Sequence, residues 1–462
     1  MADQAQTAGV EVAPEALDAL RGHLLEQSRL CLRPPVDRFR HPWIAPMPLS
    51  AAGAAYLKAR QGEESAAASQ LSREGTGDGF KAGDYSLGLF HHDASEAAIE
   101  LVQHPDLRDG AAGALLCFLD CAGPDGLIHR AELSHKSREQ EPSKPVMAQY
   151  ALRVVRAYGD AGAEWAARHR VLDRVSRFVR WFEERYTGLH GLILTHSSLA
   201  SGFDTDLLTA GLPDRSVEGP DTSAFMVLEY RALAELSRRL GRDAASAEWE
   251  EKANALRDLM ERLLWYEDAR GGFYMALRWQ HGIGSLEGEV IADRDLLGRV
   301  TPLESWTTLL PLYAGIPSER RAERMFQRLL NPSAYWGPSG VRTVPADSPY
   351  FHQAPRVMLF DFKKNGRGPV SNWTGPVWIL SNYYLAQGLA LYGRRAEARE
   401  LVLKTARLLA QGLARDGGLR ECYDDQGRGL WPRKGTFLSW NVLALSLLRE
   451  HAPDVLPPRA TP

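Results

Sequence analysis

Cysteine is scarce: the chain has four among 462 residues, Cys31, Cys117, Cys121 and Cys422. None forms a CxxC pair. Cys117 and Cys121 share one face of an expected helix, where small apolar groups belong. A zinc site needs more Cys or His at ligand spacing, so no metal is implied. Few cysteines also suit a reducing compartment. Net charge is equally scant, with 55 Lys and Arg against 58 Asp and Glu, formally -3. A nucleic-acid partner needs a basic field, and none is available. Most arginines alternate with carboxylates, as in Arg320-Arg321-Ala322-Glu323-Arg324, which is the pattern of solvated helix faces. No apolar run approaches the roughly 18 residues of a membrane span, so no membrane partner is expected. Residues 1–13 are polar and alanine-rich, without the basic and apolar regions of a signal peptide. They are expected to be a disordered tail, and the setting cytoplasmic.

What the chain does have is a repeat. Five times a glycine turn precedes a short strand-like run: Gly126-Leu127-Ile128-His129, Gly191-Leu192-Ile193-Leu194, Gly272-Phe273-Tyr274-Met275, Gly340-Val341-Arg342-Thr343 and Gly418-Leu419-Arg420-Glu421. A weaker sixth is Gly79-Phe80-Lys81. Apolar residues recur at helical spacing over 14–31, 93–105, 108–121, 143–159, 163–187, 220–241, 243–267, 304–314, 318–331, 374–392, 394–414 and 434–452. Two helices fit between successive turns. The first and last segments lack a neighbour in sequence, so a ring closes if they pair. This predicts an all-α fold, an (α/α)6 barrel of six helical hairpins with short β-hairpins in the loops, forming one domain over 14–455. An open solenoid is the rival. Its repeats are usually about 20–50 residues and near constant, whereas these intervals are longer and unequal. Closure also removes the exposed end repeats of a solenoid. Residues 60–84, polar and glycine-rich, are expected to form a long surface loop.

Such a ring has a funnel lined by inter-helix loops, and three segments there set aromatics beside carboxylates. They are Ser201-Gly202-Phe203-Asp204-Thr205-Asp206; Asn372-Trp373-Thr374-Gly375-Pro376-Val377-Trp378 with Asn382-Tyr383; and Glu421-Cys422-Tyr423-Asp424 with Gly427 and Phe437-Leu438-Ser439-Trp440. Aromatic faces pack on the apolar faces of a sugar ring, and carboxylates accept its hydroxyl hydrogens. Trp373 is expected to face the funnel, Trp378 and Trp440 to lie toward the core. Glu304 opens an expected helix, where a carboxylate favours the helix dipole.

These segments resemble glycoside hydrolase family 63 and its bacterial relatives, including mannosylglycerate and glucosylglycerate hydrolases. The resemblance spans about residues 85–450. The W-R-G-P-V-W tract followed by N-Y matches Trp373 to Tyr383, with Thr374 in place of Arg. The S-G-x-D segment matches Ser201 to Asp204, the E-Y-x-D…G…F-S-W region matches Glu421 to Trp440, and a W-D segment matches His92-Asp93. Two departures stand out: Asp204 is followed by Thr205-Asp206-Leu207-Leu208 where N-S-P-R is common, and His92 replaces Trp.

The resemblance implies an inverting glycosidase without cofactor, acting on a small-molecule carbohydrate, with Asp204 the general acid and Glu421 the general base. One carboxyl protonates the leaving oxygen and the other activates water, from about 6.5–9.5 Å away. Implied substrate-binding residues are Tyr85, His92, Asp93, Gln149, Trp373, Gly375, Trp440 and Arg215. Arg215, Arg342, Arg428 and Arg433 are the loop arginines that suit a glycerate carboxylate. Alternatives stay open. Asp204 and Asp93 also suit helix caps, Glu421 suits a surface strand end, and Asp206 either competes with Asp204 or raises its pKa. A sugar epimerase using His92, His129 or His196, or an inactive sugar-binding protein, fits the same barrel. A homo-oligomer is compatible with the sequence.

Overall fold

The structure, a computed structural model, describes residues 10–49, 53–54, 57–58, 86–134, 136–137, 141–210, 212–279, 288–290, 292–294, 300–352, 373–431 and 435–456. Tyr85, Arg433, the turn at Gly79 and the 60–84 segment lie outside them.

Twelve helices are described: α1 (Pro14–Leu30), α2 (His91–Leu101), α3 (Pro105–Cys121), α4 (Met147–Ala157), α5 (Gly162–Arg168), α6 (Val171–Tyr186), α7 (Pro220–Arg239), α8 (Asp243–Leu263), α9 (Glu319–Leu329), α10 (Ile379–Leu391), α11 (Arg395–Asp416) and α12 (Leu443–His451). The inner ring runs α2, α4, α7, the 3-10 segment Trp306–Leu312, α10 and α12, and α12 packs back on α2. Around it stand α3, α6, α8, α9, α11 and α1. The arrangement is the expected (α/α)6 barrel.

Burial separates the two rings. In α10 nearly every residue from Ile379 to Leu389 is buried, including Ser381 and Asn382, as a helix covered on all sides must be. Outer α9 buries only Ala322, Met325, Phe326, Arg328 and Leu329 and turns its other charges outward. Proline opens α1, α3 and α7, where its missing N–H costs nothing. Inner α4 is capped from a distance: the Glu229 carboxylate of α7 accepts the amides of Ala148 and Gln149 at 2.8 and 2.9 Å.

Several expected helices differ in form. The 163–187 segment breaks into α5 and α6 because Arg170 adopts a left-handed φ of 50°. The 304–314 segment is a 3-10 turn, since Pro311 lies inside it and cannot donate an α-helical hydrogen bond. The 434–452 segment divides into the 3-10 turn Ser439–Val442 and α12. The first helix closes the ring from outside, packing on α11 and on the Ser439–Val442 turn.

The glycine turns are real. Left-handed glycines stand at Gly126, Gly191, Gly271, Gly340 and Gly417, so in the third and fifth turns the reversing residue is one earlier than expected. Only the third turn closes a full hairpin, Trp265–Asp268 with Gly271–Tyr274. Ile193, Val341 and Arg342 make single bridges instead. Among the described residues no helix is long and apolar enough to cross a membrane.

Candidate active site

The loop bearing Asp204 runs between the paired strands Leu194–Thr195 and Val217–Glu218. It is a chain of turns with no helix of its own, so Asp204 has no helix to cap. Three anchors hold it. Buried Lys144 donates to the Ser201 carbonyl and to Asp221, both at 3.0 Å, with its ammonium 3.9 Å from the Phe203 ring centre. The Thr205 hydroxyl accepts the Trp373 amide at 2.7 Å. Asp206 accepts Ser305 at 2.7 Å, Thr307 at 3.1 Å and the Leu208 amide at 2.9 Å. Asp206 therefore serves the scaffold: it is buried, and desolvation lifts its pKa to about 6 against those donors. Asp204, two residues earlier, is only half-buried, and Ser198 donates to its backbone carbonyl.

Glu421 ends the fifth turn, just before the strand Cys422–Tyr423. Tyr423 exchanges backbone hydrogen bonds with Val377 at 2.7 and 3.0 Å, which ties this strand to the Trp373–Trp378 tract. The Trp440 indole donates to the Glu421 carbonyl at 3.0 Å, and Asn441 donates to the Arg420 carbonyl at 2.7 Å. The Glu421 side chain is no surface carboxylate. It is 5% exposed, and its Oε2 has no hydrogen-bond partner among the described residues.

Asp93, Asp204 and Glu421 form one electrostatic cluster. Burial first, then Asp204 and Asp93, push the Glu421 pKa well above the usual carboxylate range. Burial likewise lifts Asp93 to about 7, against a hydrogen bond from Ser439 that favours the charged form. Asp93 sits in the first turn of α2 but is not its cap, which falls at Phe90. Two buried, mutually interacting acidic residues with raised pKa values mark a candidate functional site. So the ring does bring the second and fifth turns together, with the start of α2 between them.

Other expected residues are placed differently. Trp373, expected to face the funnel, is 1% exposed. Its ring stacks 3.7 Å from that of Trp378 and 5.6 Å from that of Trp306, with Phe203 edge-on at 4.9 Å. It floors the Asp204 loop. Trp440 is buried as expected. Gly375 has a φ of 137°, and a Cβ there would stand 3.0 Å from Phe351 and His352, a close approach that needs glycine. His92 is buried, 5.3 Å from the Phe203 ring and 3.3 Å from the Tyr384 hydroxyl, and desolvation holds it neutral. Gln149 spends its amide nitrogen on Glu229 and on the Pro145 and Phe225 carbonyls. Glu304 is structural, though through a buried ion pair with Arg328 at 2.6 Å rather than a helix dipole.

Among the loop arginines, Arg342 pairs with Asp425 and Arg428 with Asp424. Arg215 donates to the Tyr186 hydroxyl at 3.2 Å and has no carboxylate partner among the described residues. It lines an open cleft of about 580 Å³ with His196, Leu199 and Asp214, on the same loop as Asp204. The sequence reading missed Thr205, Ser305, Thr307 and Asn441 as anchors. Thr205 and Asn441 lie in or beside the motifs, whereas Ser305 and Thr307 stand far from all three in sequence and carry no signal there.

A closed ring of six helical hairpins with a carboxyl cluster among its inter-helix loops is the architecture of the (α/α)6 glycoside hydrolases. More narrowly, the chain belongs to the family of the mannosylglycerate hydrolase MGH1-like glycoside hydrolase domain, whose model matches residues 98–440. It is 32% identical over 192 residues to a mannosylglycerate hydrolase of Thermus thermophilus, covering 40% of this chain and 34% of that one. It is 26% identical over 194 residues to a mannosylglycerate hydrolase of Rubrobacter radiotolerans, covering 42% and 35%. The matched region thus spans about a third of those curated relatives. In fold it resembles the glycoside hydrolase family 63 mannosylglycerate hydrolase of Thermus thermophilus solved with glucose, at a TM-score of 0.57 and 22% identity over 78% of this chain and 93% of that one.

Proposed function

We propose that the protein hydrolyses a small α-linked glycoside of glycerate, mannosylglycerate or glucosylglycerate, with inversion at the anomeric carbon. The observation that carries this is the carboxyl cluster in which Asp204 and Asp93 both bear on buried Glu421, whose Oε2 has no hydrogen-bond partner among the described residues. Asp204, the more open of the two proposed catalytic carboxyls, gives its proton to the leaving glycerate oxygen. Glu421, once ionised, takes a proton from the attacking water on the opposite face. Its desolvated carboxylate is a stronger base than a solvated one, because burial raises its proton affinity. Family membership and the relatives' being mannosylglycerate hydrolases support glycerate as the leaving group.

The histidine-based epimerase reading gains nothing from the geometry. His92 is buried and held neutral, and His196 bonds Tyr186 at 2.8 Å in the outer cleft. The test is a hydrolysis screen over α-mannosylglycerate, α-glucosylglycerate and α-linked disaccharides, with proton NMR of the fresh product. The expected result is turnover of a glycerate glycoside with first appearance of the β-anomer. Early α-anomer overturns the inverting mechanism. Turnover of disaccharides alone overturns the substrate.

A further inference from the structure

Three consecutive side chains of the Ser439–Val442 turn reach three different partners. Ser439 donates to the Asp93 carboxylate, 346 residues away in sequence. Trp440 donates to the Glu421 carbonyl at 3.0 Å. Asn441 donates to the Arg420 carbonyl at 2.7 Å and to the Phe437 carbonyl at 2.8 Å. All three residues are buried. The turn is itself fixed, because the amides of Leu438 and Ser439 both donate to the Pro46 carbonyl. The start of α2 and the end of the fifth glycine turn are thus both tied by buried hydrogen bonds to this one turn.

We propose that Ser439, Trp440 and Asn441 are positioning residues that register Glu421 against Asp93, and that the Ser439 hydroxyl sets how the two carboxyls share their protons. This deepens the hydrolase reading and rests on it. Charges that bear on the pair from other elements are Asp204 and Arg130. Arg420 turns away, onto the Leu419, Gly435 and Asp416 carbonyls. His91 and His92, on the same helix as Asp93, are held neutral by burial. The sign of the effect follows. The Ser439 hydroxyl favours ionised Asp93. Without it Asp93 keeps its proton to higher pH, its negative charge beside Glu421 is lost, and Glu421 ionises at lower pH.

The experiment is the pH profile of kcat/KM on the best substrate of the screen, for the full chain and for variants at Ser439, Asp93 and Trp440. Ser439→Ala is expected to move the acid limb to lower pH by about half a unit or more, and Ser439→Thr, which keeps the hydroxyl, to restore it. The shift is expected to vanish when Ser439→Ala is added to Asp93→Asn. Trp440→Phe, which keeps the ring but not the donor, is expected to lower kcat about tenfold with KM little changed. A fixed acid limb in Ser439→Ala, or an equal shift in the Asp93→Asn background, overturns the proton-sharing role. Should Ser439→Ala not fold, Trp440→Phe decides the positioning role, and unchanged kcat there overturns it. Full activity of Glu421→Gln sinks the underlying reading instead, so the two failures are distinct.

Discussion

The Asp204 loop and the Glu421 strand end meet at one carboxyl cluster but are built in opposite ways. The Asp204 loop is all turns, held from below by a buried ammonium, a threonine hydroxyl and a sequestered aspartate. Its working carboxyl is half-buried. Glu421 adjoins a strand that is paired on both sides, Cys422–Tyr423 with Gly429–Trp431 and with Val377. Its carboxyl is buried, and one oxygen has no hydrogen-bond partner among the described residues. The difference teaches a division of labour. On the proposed assignment, the proton donor sits on the half-buried loop, from which it can reach a leaving oxygen of variable position, and the base sits beside paired backbone, where desolvation strengthens it. The cost is a carboxyl held against its preference for water.

The sharpest way to break this comparison is to remove each carboxyl in turn. Glu421→Gln and Asp204→Asn are each expected to lower kcat on the natural glycoside by about 10²–10⁴. They should part on a glycosyl fluoride, whose leaving group needs no protonation. Asp204→Asn is expected to regain most of its rate there, and Glu421→Gln none. Stopped assays on both substrates read this directly, and the reverse pattern exchanges the two roles.

Next in size is the loop's deepest anchor. Lys144→Met leaves Asp221 buried without its cation, which typically costs about 3–5 kcal/mol. Urea denaturation measures that loss. A kcat decline beyond it, relative to a stability-matched core variant, locates the effect at Asp204. If kcat is untouched, Lys144 supports the fold and not the loop.

A third test turns on the cluster's cost. The Asp93 pKa rises from 3.8 to about 7 on folding, so the folded state binds this proton more tightly than the unfolded chain. The carboxyl costs nothing below the unfolded pKa; its penalty grows as pH climbs from about 4 to about 7 and is constant above that. Roughly three units at 1.36 kcal/mol each make this about 4 kcal/mol above neutrality. Asp93→Asn is therefore expected to be less active yet more stable at pH 8, with the gain fading toward pH 4. Equal stability of the two proteins at both values refutes the buried-charge account.

How much of this was legible in the sequence depends on range. Eleven of the twelve expected segments contain α-helix and the other is the 3-10 turn Trp306–Leu312; they were visible because a 3.6-residue period needs only neighbours, and the turns because glycine alone takes a φ such as the 140° of Gly340 easily. The proposed roles of Asp204 and Glu421 rest on motif resemblance, and the structure adds that the two carboxyls bear on each other electrostatically. Trp373 was misplaced because an aromatic beside a carboxylate in sequence suggests a sugar platform. The rings that bury it, Trp306 and Trp378, are delivered by other parts of the barrel. The Ser439–Asp93 contact could not be seen at all, since it joins the first inner helix to the segment before the last.

The smallest test compares one backbone anchor from each side. Thr205→Val keeps the shape of the side chain but removes the oxygen that accepts the Trp373 amide at 2.7 Å. Thr205→Val leaves the Trp373 amide donor unsatisfied and Trp440→Phe leaves the Glu421 carbonyl without its indole donor; a buried polar group left unsatisfied costs about 1–3 kcal/mol, so both should lower stability by at least that order. Their kinetic effects should differ. The Asp204 loop keeps its Lys144 and Asp206 anchors when Thr205 is lost, and an acid on an open tip tolerates small displacement. The Glu421 carbonyl loses its indole donor in Trp440→Phe, and a base must stay within hydrogen-bond reach of its water. Equal stability loss with a larger kcat loss in Trp440→Phe supports the division between open acid and rigid base. Equal kcat losses mean that both carboxyls need the same precision, and that the difference in burial reflects packing alone.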